Sequence, residues 1–345
     1  MKFEILEEDK NTNARMGELI INGKKVRTPC FWLGLRVYAK PNPLDYFDLR
    51  TILVNAYEML QNIGCQDSIH KLLRTNAVIM MDSGGFQLMK NRNLSINAED
   101  ILKIYRRTRP DIGVVLDYPF NPKNIEDRQE RWKKTIENTK FMLDNAGDVV
   151  LMPVVHGYTL DELIEACRDV KKIADPKIVG IGSLVPLIKN INRETGIKYI
   201  KRAITVVRKE FPDSFIHVFG IGSTITMHLM FSLGADSVDS MAWRMKAAYG
   251  AIQLPGVGDR FISPNGKKRK KLIEEHLLEK CSCPICVGKT LEERKIALNN
   301  SIPNTFANRA IHNAYVFIKE HENFLRSFEE GCLEDFLNKR IEKRR

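Results

Sequence analysis

Eight short apolar runs, separated by longer helical or polar stretches, most limit what this chain can fold into. Each run has the length and the β-branched content of a buried strand. Strands that alternate with helices form parallel βα units, and eight such units imply a closed barrel. The runs are residues 29–33, 51–54, 77–81, 112–116, 149–155, 177–181, 214–219 and 236–238. We therefore predict an α/β fold, a TIM (β/α)8 barrel, with an open doubly wound sheet as the alternative.

Polar residues or glycines follow seven of the eight runs. The carboxyl ends of the strands in such a barrel form one mouth, and active sites lie there. The residues expected at this mouth are Asn55, Asp82, Asp117, His156, Gly182 with Ser183, Gly220 and Asp239.

Asp82 is the most informative of these residues, because it is followed by Ser83-Gly84-Gly85-Phe86-Gln87. Two glycines let the backbone approach a ligand closely, and an aromatic ring and an amide follow them. Such a segment suits a flat ligand with hydrogen-bonding edges, such as a nucleobase. The alternative is an ordinary strand-to-helix turn in which Asp82 caps the helix.

The composition favours a basic protein with a large core and without a membrane segment. The 345 residues are 43% hydrophobic, and 54 Lys and Arg against 43 Asp and Glu give a net charge of +11. A positive balance suits a polyanionic partner. The N-terminus lacks the apolar stretch of a signal peptide, and no stretch approaches the roughly 20 apolar residues of a membrane span. We expect a cytoplasmic protein.

Three of the seven cysteines lie within six positions, as C-x-C-x2-C at Cys281, Cys283 and Cys286. An odd count and close spacing favour metal binding over disulfides. His312 lies in an amphipathic helical pattern, where a lone His is usually a packed surface residue, but here it can complete a Cys3His set. Four protein ligands leave no open position, so we predict one structural Zn²⁺ per chain.

The predicted domain organisation has four parts. Asn22-Gly23 between two strand-like runs predicts an N-terminal β-hairpin. The predicted parts are a β-hairpin region at 1–27, the barrel core at 28–260, a zinc-binding subdomain at 261–315 and a C-terminal helical segment at 316–345.

The aspartate-ended strand, Ser-Gly-Gly-Phe-Gln and the C-x-C-x2-C-x25-H pattern together resemble the tRNA-guanine transglycosylase superfamily. The resemblance runs nearly end to end, through Ala14-Arg15-Met16-Gly17, Thr28-Pro29 and Asn55-Ala56-Tyr57 to His312. Members are TIM barrels with a zinc subdomain. They exchange a guanine in nucleic acid for a 7-deazaguanine base such as preQ0.

The resemblance implies a role for each mouth residue. Asp239 is similar in position to the nucleophile, Asp82 to the general acid/base and Asp117 to the acceptor of the purine N–H groups. The remaining base-pocket residues that it implies are Ser83, Phe86, His156, Gly182, Ser183, Leu184 and Phe219. The chemistry agrees, since base exchange with retained configuration needs a covalent sugar intermediate and a second carboxylate for proton transfer.

Three features depart from ordinary tRNA enzymes. His156 stands where the family usually has Gln, and Ser240–Arg244 differs from the Pro-Thr-Arg-like residues of bacterial tRNA enzymes. The sequence ends at Arg345, without room for the extra RNA-binding domains of archaeal members, although Ile181–Leu187 is archaeal in style. These features resemble the DNA-guanine transglycosylase (DpdA) branch of phages and bacteria. The protein would then lie in the host cytoplasm if it is phage-encoded.

The expected partner is therefore DNA, with tRNA as the alternative, and the target guanine would have to be flipped out of a duplex. A non-catalytic nucleic-acid-binding relative is a second alternative, disfavoured because Asp82 and Asp239 are both present. A helper protein or a homodimer stays open. The candidates for backbone contacts are Lys90, Arg92, Arg244, Lys246, Lys267, Lys268 and Arg269.

Overall fold

The computed structural model describes most of the chain. The described residues are 1–60, 67–90, 96–122, 124–189, 193–264 and 271–341. They form two compact units, and no helix among them is both long and apolar enough to cross a membrane. The first unit comprises Met1–Val37, Leu49–Ile221 and Phe231–Asp239, and the second comprises Tyr38–Asp48, Gly222–Met230 and Ser240–Arg345.

Strands and helices alternate through most of the sequence. The strands are β1 (Lys2–Glu8), β2 (Arg15–Ile21), β3 (Lys24–Thr28), β4 (Cys30–Gly34), β5 (Thr51–Asn55), β6 (Val78–Asp82), β7 (Ile112–Val114), β8 (Leu151–Met152), β9 (Val154–Val155), β10 (Ile178–Ile181), β11 (Phe215–Val218), β12 (Ser237–Ser240), β13 (Ile252–Leu254) and β14 (Gly258–Arg260). The helices are α1 (Ala56–Leu60), α2 (Ile69–Leu73), α3 (Gly85–Lys90), α4 (Ala98–Thr108), α5 (Arg128–Asp144), α6 (Leu160–Ile173), α7 (Val185–Lys189), α8 (Arg193–Glu210), α9 (Thr226–Ser232), α10 (Ala242–Ala248), α11 (Glu275–Glu279), α12 (Leu291–Leu298), α13 (Phe306–Glu329) and α14 (Leu333–Ile341).

Nine strands, β4 to β12, form a nearly closed parallel sheet. Its order is β8-β7-β6-β5-β4-β12-β11-β10-β9. The two ends of this order, β8 and β9, are separated in sequence only by Pro153. Proline has no N–H to donate to a neighbouring strand. At Pro153 the pairing partner changes, because β8 pairs with β7 and β9 pairs with β10. The sheet thus returns to its starting segment, and all eight predicted runs contain barrel strands. The prediction of an α/β barrel is confirmed.

The barrel interior is built from every second residue of its strands. Its core side chains are Cys30, Trp32, Val78, Met80, Ile112, Val114, Met152, Val154, Ile178 and Phe215. Because side chains alternate between the two faces of a strand, the residue two positions later points the same way. Those positions hold Asp82 after Met80, His156 after Val154 and His217 after Phe215. The same alternation therefore fills the core and aims polar groups toward the mouth.

The N-terminal hairpin forms as predicted. Asn22 and Gly23 have φ values of 50° and 74°, the left-handed conformation that a two-residue I′ turn requires. Leu19, Ile21 and Val26 from this hairpin join the barrel core. The sequence analysis missed β1, which pairs antiparallel with β2 and makes a three-stranded sheet.

The second unit has its own core. Ile252 and Leu254 of β13 pack with Leu278 and Leu298 around the buried cysteines of the C-x-C-x2-C segment. The 24-residue helix α13 contributes His312 and Asn313, which are both buried. The Asn313 side chain accepts the N–H of Gln253 at 2.7 Å and donates to the Ala251 carbonyl at 3.1 Å, so it ties α13 to β13.

A buried ion pair joins the N-terminal sheet to the barrel. The Asp236 side chain is inaccessible to solvent and accepts bonds from Arg15 Nε at 2.6 Å and Arg208 Nη2 at 2.6 Å. It also accepts the backbone N–H of Ile216 at 2.7 Å. Every donor around this carboxylate is a charged group or a backbone group, so removing the carboxylate leaves buried donors without an acceptor.

We predict that Asp236→Ala lowers the free energy of unfolding by about 3–5 kcal/mol, the cost of breaking a buried ion pair on one side. Denaturant unfolding followed by circular dichroism measures this. Asp175→Ala is the matched control, because Asp175 pairs with Lys177 at an exposed site and should contribute almost nothing. Equal effects of the two substitutions would contradict the prediction.

Candidate functional site

Asp82 ends β6 beside Asn55, which ends the neighbouring strand β5 in the same register. Asn55 Nδ2 donates to Asp82 Oδ2 at 2.7 Å, and Asn55 Oδ1 accepts the Tyr57 N–H at 2.9 Å. The amide of Asn55 is therefore fixed at both ends. It holds one carboxylate oxygen of Asp82 in place.

The Asp82 carboxyl lies among other acids. Burial, followed by repulsion from Asp117 and Asp239, raises the pKa of Asp82 to about 7. Like charges raise the pKa of a carboxyl in this way only when they are close. The structure thus brings together the three aspartates that the sequence analysis selected, at the carboxyl ends of β6, β7 and β12.

Asp117 lies tightly against the loop that follows Asp82. A Cβ atom on Gly85 would lie 2.3 Å from Asp117 Oδ1, so this approach requires glycine. On its other side, Asp117 Oδ2 lies 3.0 Å from His156 Nε2. The second glycine of the Ser-Gly-Gly-Phe-Gln segment therefore makes room for a carboxylate of the neighbouring strand end.

His156 is buried and held by one hydroxyl group. Ser183 Oγ accepts the Phe120 N–H at 2.7 Å and lies 2.9 Å from His156 Nδ1. The hydroxyl proton of Ser183 is thus free to bond Nδ1, which leaves the proton of a neutral imidazole on Nε2. Within the described residues Nε2 completes no hydrogen bond, although Asp117 is near. A buried N–H that completes no hydrogen bond is suited to a ligand group.

The strand end that carries Ser183 is shaped by close contacts. Ser183 has φ +64°, and a Cβ on Gly182 would lie 2.4 Å from His156 Cε1. A Cβ on Gly180 would meet the Phe219 ring at 2.4 Å, and Leu184 is buried. Gly182 and Ser183 therefore lie beside His156, and the base-binding role of residues 182–184 stays a prediction.

Asp239 has one oxygen that is already occupied. Its Oδ1 accepts the Gly220 N–H at 2.6 Å and lies 3.2 Å from His217 Nε2. The Phe219 ring packs edge-on against the His217 ring, with centroids 4.4 Å apart. Asp239 itself is 6% exposed, so its carboxylate is almost fully shielded from solvent.

The other predicted base contacts are Ser83, Phe86 and Phe219. The Ser83 side chain is buried, and its hydroxyl donates to the Val115 carbonyl at 3.2 Å. Phe86 is 48% exposed and Phe219 is half-buried. That these two rings enclose a base stays a prediction.

The predicted nucleic-acid contacts are described only in part. Arg244 Nη2 donates to the Lys40 carbonyl at 2.8 Å, and Lys246 Nζ pairs with Asp259 at 2.5 Å. Both cations therefore have partners inside the second unit. The side chain of Lys90 and the residues Arg92, Lys267, Lys268 and Arg269 lie outside the described part of the chain.

Cys281, Cys283, Cys286 and His312 form one cluster in the second unit, with all ligand atoms within 4.8 Å of one another. His312 Nδ1 lies 3.5, 3.5 and 3.7 Å from the three sulfurs. A tetrahedral Zn²⁺ with ordinary Zn–S and Zn–N bonds separates sulfur and nitrogen by about 3.6 Å. His312 Nε2 lies 2.9 Å from the Gln253 carbonyl, which leaves Nδ1 free as a ligand. The cluster fits one zinc ion.

Sequence reasoning missed the contacts of Asn55 and the whole contribution of His217. Asn55 was placed at the mouth without a role. His217 lies two residues after Phe215 and two before Phe219, so its strand position already predicts an inward-facing side chain. The alternation of side chains along the strand is visible in the sequence, but a single His inside an apolar run does not by itself indicate a functional residue.

Comparison with known proteins shows which family the chain is similar to. The family model described as queuine tRNA-ribosyltransferase matches residues 9–345. The tRNA-guanine(15) transglycosylase of Pyrococcus abyssi is 27% identical over 344 residues, which cover 96% of this chain and 55% of the relative. The protein of the same name from Methanocaldococcus jannaschii is 28% identical over 360 residues, covering 99% and 52%. The chain spans about half the length of these curated relatives.

We predict that the purified protein carries about one zinc per chain, and that Cys283→Ser lowers both metal content and thermal stability, because metal binding and folding are coupled. Elemental analysis and calorimetry measure the two quantities. Cys332→Ser is the control, since Cys332 is exposed and outside the cluster. A metal-free protein that melts at the same temperature would rule out the zinc site.

We also predict a pH-dependent stability gain in Asp82→Asn. The pKa of Asp82 in the folded protein is about 7, above its ordinary value of 3.8. Between these pH values the Asp82 carboxyl is therefore mostly protonated in the folded state and mostly ionised in the unfolded state. The Asp82 contribution to stability is therefore present at low pH and lost as the pH rises through about 7. The melting temperature of Asp82→Asn relative to the unsubstituted protein should rise across this window. A constant difference from about pH 4 to pH 8 would contradict the raised pKa.

Proposed function

Since the chain belongs to the queuine tRNA-ribosyltransferase family, we propose that it is a guanine transglycosylase that exchanges a guanine in tRNA for a 7-deazaguanine base. The observation that carries this proposal is the group of three aspartates, Asp82, Asp117 and Asp239, at one barrel mouth. One of the three has a pKa near neutrality. Three close aspartates of this kind suit proton transfer and covalent chemistry at a glycosidic bond better than they suit binding of nucleic acid without reaction.

Asp239 is the proposed nucleophile. Its Oδ1 is held by the Gly220 N–H, and Oδ2 accepts no hydrogen bond from the described residues. Attack of this oxygen on C1′ forms the aspartyl–sugar bond, while the bond to guanine breaks and its electron pair leaves with the base. Attack by the incoming base on the other face then releases Asp239, so two inversions give retention.

Asp82 is the proposed general acid and base. With a pKa of about 7, a substantial fraction of Asp82 is protonated near neutral pH and can donate to the departing guanine. The resulting carboxylate can then take a proton from the incoming base. Asn55, which donates to Asp82 Oδ2, stabilises that carboxylate and keeps its orientation.

Asp117 and His156 are the proposed readers of the base edge. A carboxylate accepts from the ring and exocyclic N–H groups of a purine, and the Nε2–H of His156 can donate to the carbonyl oxygen of the base. Their separation of 3.0 Å places an acceptor and a donor side by side. Zinc, when bound at the closed Cys3His set, would supply folding stability to the second unit.

The choice of tRNA differs from the main hypothesis of the sequence analysis. Both relatives described above are named as tRNA enzymes, and this favours tRNA as the polynucleotide. DNA stays the second candidate, because His156 and the Ser240–Arg244 segment depart from the tRNA-enzyme pattern. A non-catalytic relative is disfavoured, since the proposed nucleophile and the proposed acid are both present and adjacent to one mouth.

We predict that the protein incorporates preQ0 into tRNA and that Asp239→Asn abolishes this, by on the order of a thousandfold or more, with nearly unchanged tRNA affinity. Nucleoside mass spectrometry and filter binding measure the two effects. Asp175→Asn, at an exposed ion pair, is the control. Parallel reactions use duplex and single-stranded DNA. Incorporation into DNA alone would support the second candidate, and incorporation into no polynucleotide would overturn the function.

We predict that His156→Gln changes the preference among guanine, preQ0 and preQ1 by about tenfold or more, because an amide presents a donor and an acceptor where imidazole presents one N–H. The ratios of kcat/KM for the three bases measure this. Ser183→Ala should weaken the same discrimination, since it frees the imidazole ring. Unchanged ratios in both variants would show that His156 only fills space.

A further inference from the structure

His217 lies in the barrel wall directly behind Asp239. Its side chain is inaccessible to solvent, and its position on β11 pairs with Ser237 on β12, two residues before Asp239. His217 Nδ1 lies 2.7 Å from Ser237 Oγ, and Nε2 lies 3.2 Å from Asp239 Oδ1. Each ring nitrogen therefore faces one polar partner of its own. The ring joins a serine of the wall to a carboxylate of the mouth.

The partners decide which nitrogen carries a proton. An ionised carboxylate only accepts hydrogen bonds, so Nε2 must carry the proton that faces Asp239. Nδ1 can then accept from the Ser237 hydroxyl. The Nε2–H bond to Asp239 exists in either charge state of the imidazole, because the second proton of an imidazolium would lie on Nδ1.

We propose that His217 is a positioning residue for the nucleophile, which holds Asp239 Oδ1 so that Oδ2 faces the sugar carbon. The proposal rests on the function proposed above, in which Asp239 attacks C1′. His217 Nε2–H and the Gly220 N–H both donate to Oδ1, whereas Oδ2 accepts none from the described residues. Two donors on one oxygen fix the rotation of the carboxylate and leave the other lone pairs free to react.

Phe219 keeps the positioning ring in place. Its ring meets the His217 ring at 82° with centroids 4.4 Å apart, and its edge fills the space that a Cβ on Gly180 would need. Burial and this edge-to-face contact leave His217 little freedom to turn.

The experiment compares His217→Phe, which removes the donor at similar volume, with His217→Gln, whose amide N–H replaces Nε2–H. We expect His217→Phe to lower kcat and the single-turnover rate of adduct formation by about 10- to 100-fold, as for a lost hydrogen bond to a charged group. The KM for tRNA should change less than about twofold, because no binding contact is lost. His217→Gln should recover most of the lost rate.

Ser237→Ala is an independent test that changes little volume. It leaves Nδ1 without its partner, so the ring is less fixed, and kcat should fall about two- to fivefold at unchanged KM. His70→Phe is the matched control. His70 Nε2 lies 3.1 Å from Asp111, a second His–Asp pair that precedes β7 at the opposite end of the strands, so its loss should leave kcat unchanged.

The outcomes separate the two proposals. Absence of base exchange in the unsubstituted protein overturns the proposed function and the inference together. Normal exchange with an unchanged kcat in His217→Phe, or an equal loss in His217→Phe and His217→Gln, overturns the inference alone. If His217→Phe does not fold, Ser237→Ala decides, and an unchanged kcat in that variant overturns the inference.

Discussion

Alternation of side chains along the strands of a closed sheet is the constraint on which the site depends. Val78 and Met80 point into the barrel, so Asp82 does as well, and the same holds for His156 after Val154. An insertion of one residue would turn each of these groups outward. The core below the mouth therefore does more than stabilise the fold, because it sets the direction of the polar groups above it that we propose to react.

The pKa of a buried aspartate is shifted in opposite directions at the two ends of the barrel. Before β7, burial would raise the pKa of Asp111, but hydrogen bonds from His70, from the Ile79 N–H, from Lys24 and from Asn22 lower it to about 2. At the other end, burial and two neighbouring acids raise the pKa of Asp82 to about 7. The donors at the first end make an aspartate that stabilises the fold. At the second end, burial and the two neighbouring acids outweigh the hydrogen bonds from the Ser83 and Gly84 N–H groups, and the result is an aspartate that can exchange a proton.

The sequence predicted the parts of this structure that depend on local pattern. The apolar runs predicted the strands, the residues after them predicted the mouth, and the cysteine spacing with His312 predicted the metal cluster. Contacts between distant strands were not predicted, because they depend on the register of pairing. His217 contacts Asp239 only because β11 and β12 pair as they do, with His217 opposite Ser237. Pro153, where the strand changes partner, and β1 were missed for the same reason.

Ser183 shows how one side chain can combine three strand ends into a single site. Its hydroxyl accepts from Phe120, which follows β7, and bonds His156, which follows β9, while its own backbone follows β10 in a left-handed conformation. Such a conformation has a cost for a residue other than glycine, and the two hydrogen bonds offset it. Because the imidazole is fixed from the Nδ1 side, its Nε2 is presented to the pocket. His156 can therefore act as a donor in a defined position, and this is the basis on which we propose that it contributes to base selection.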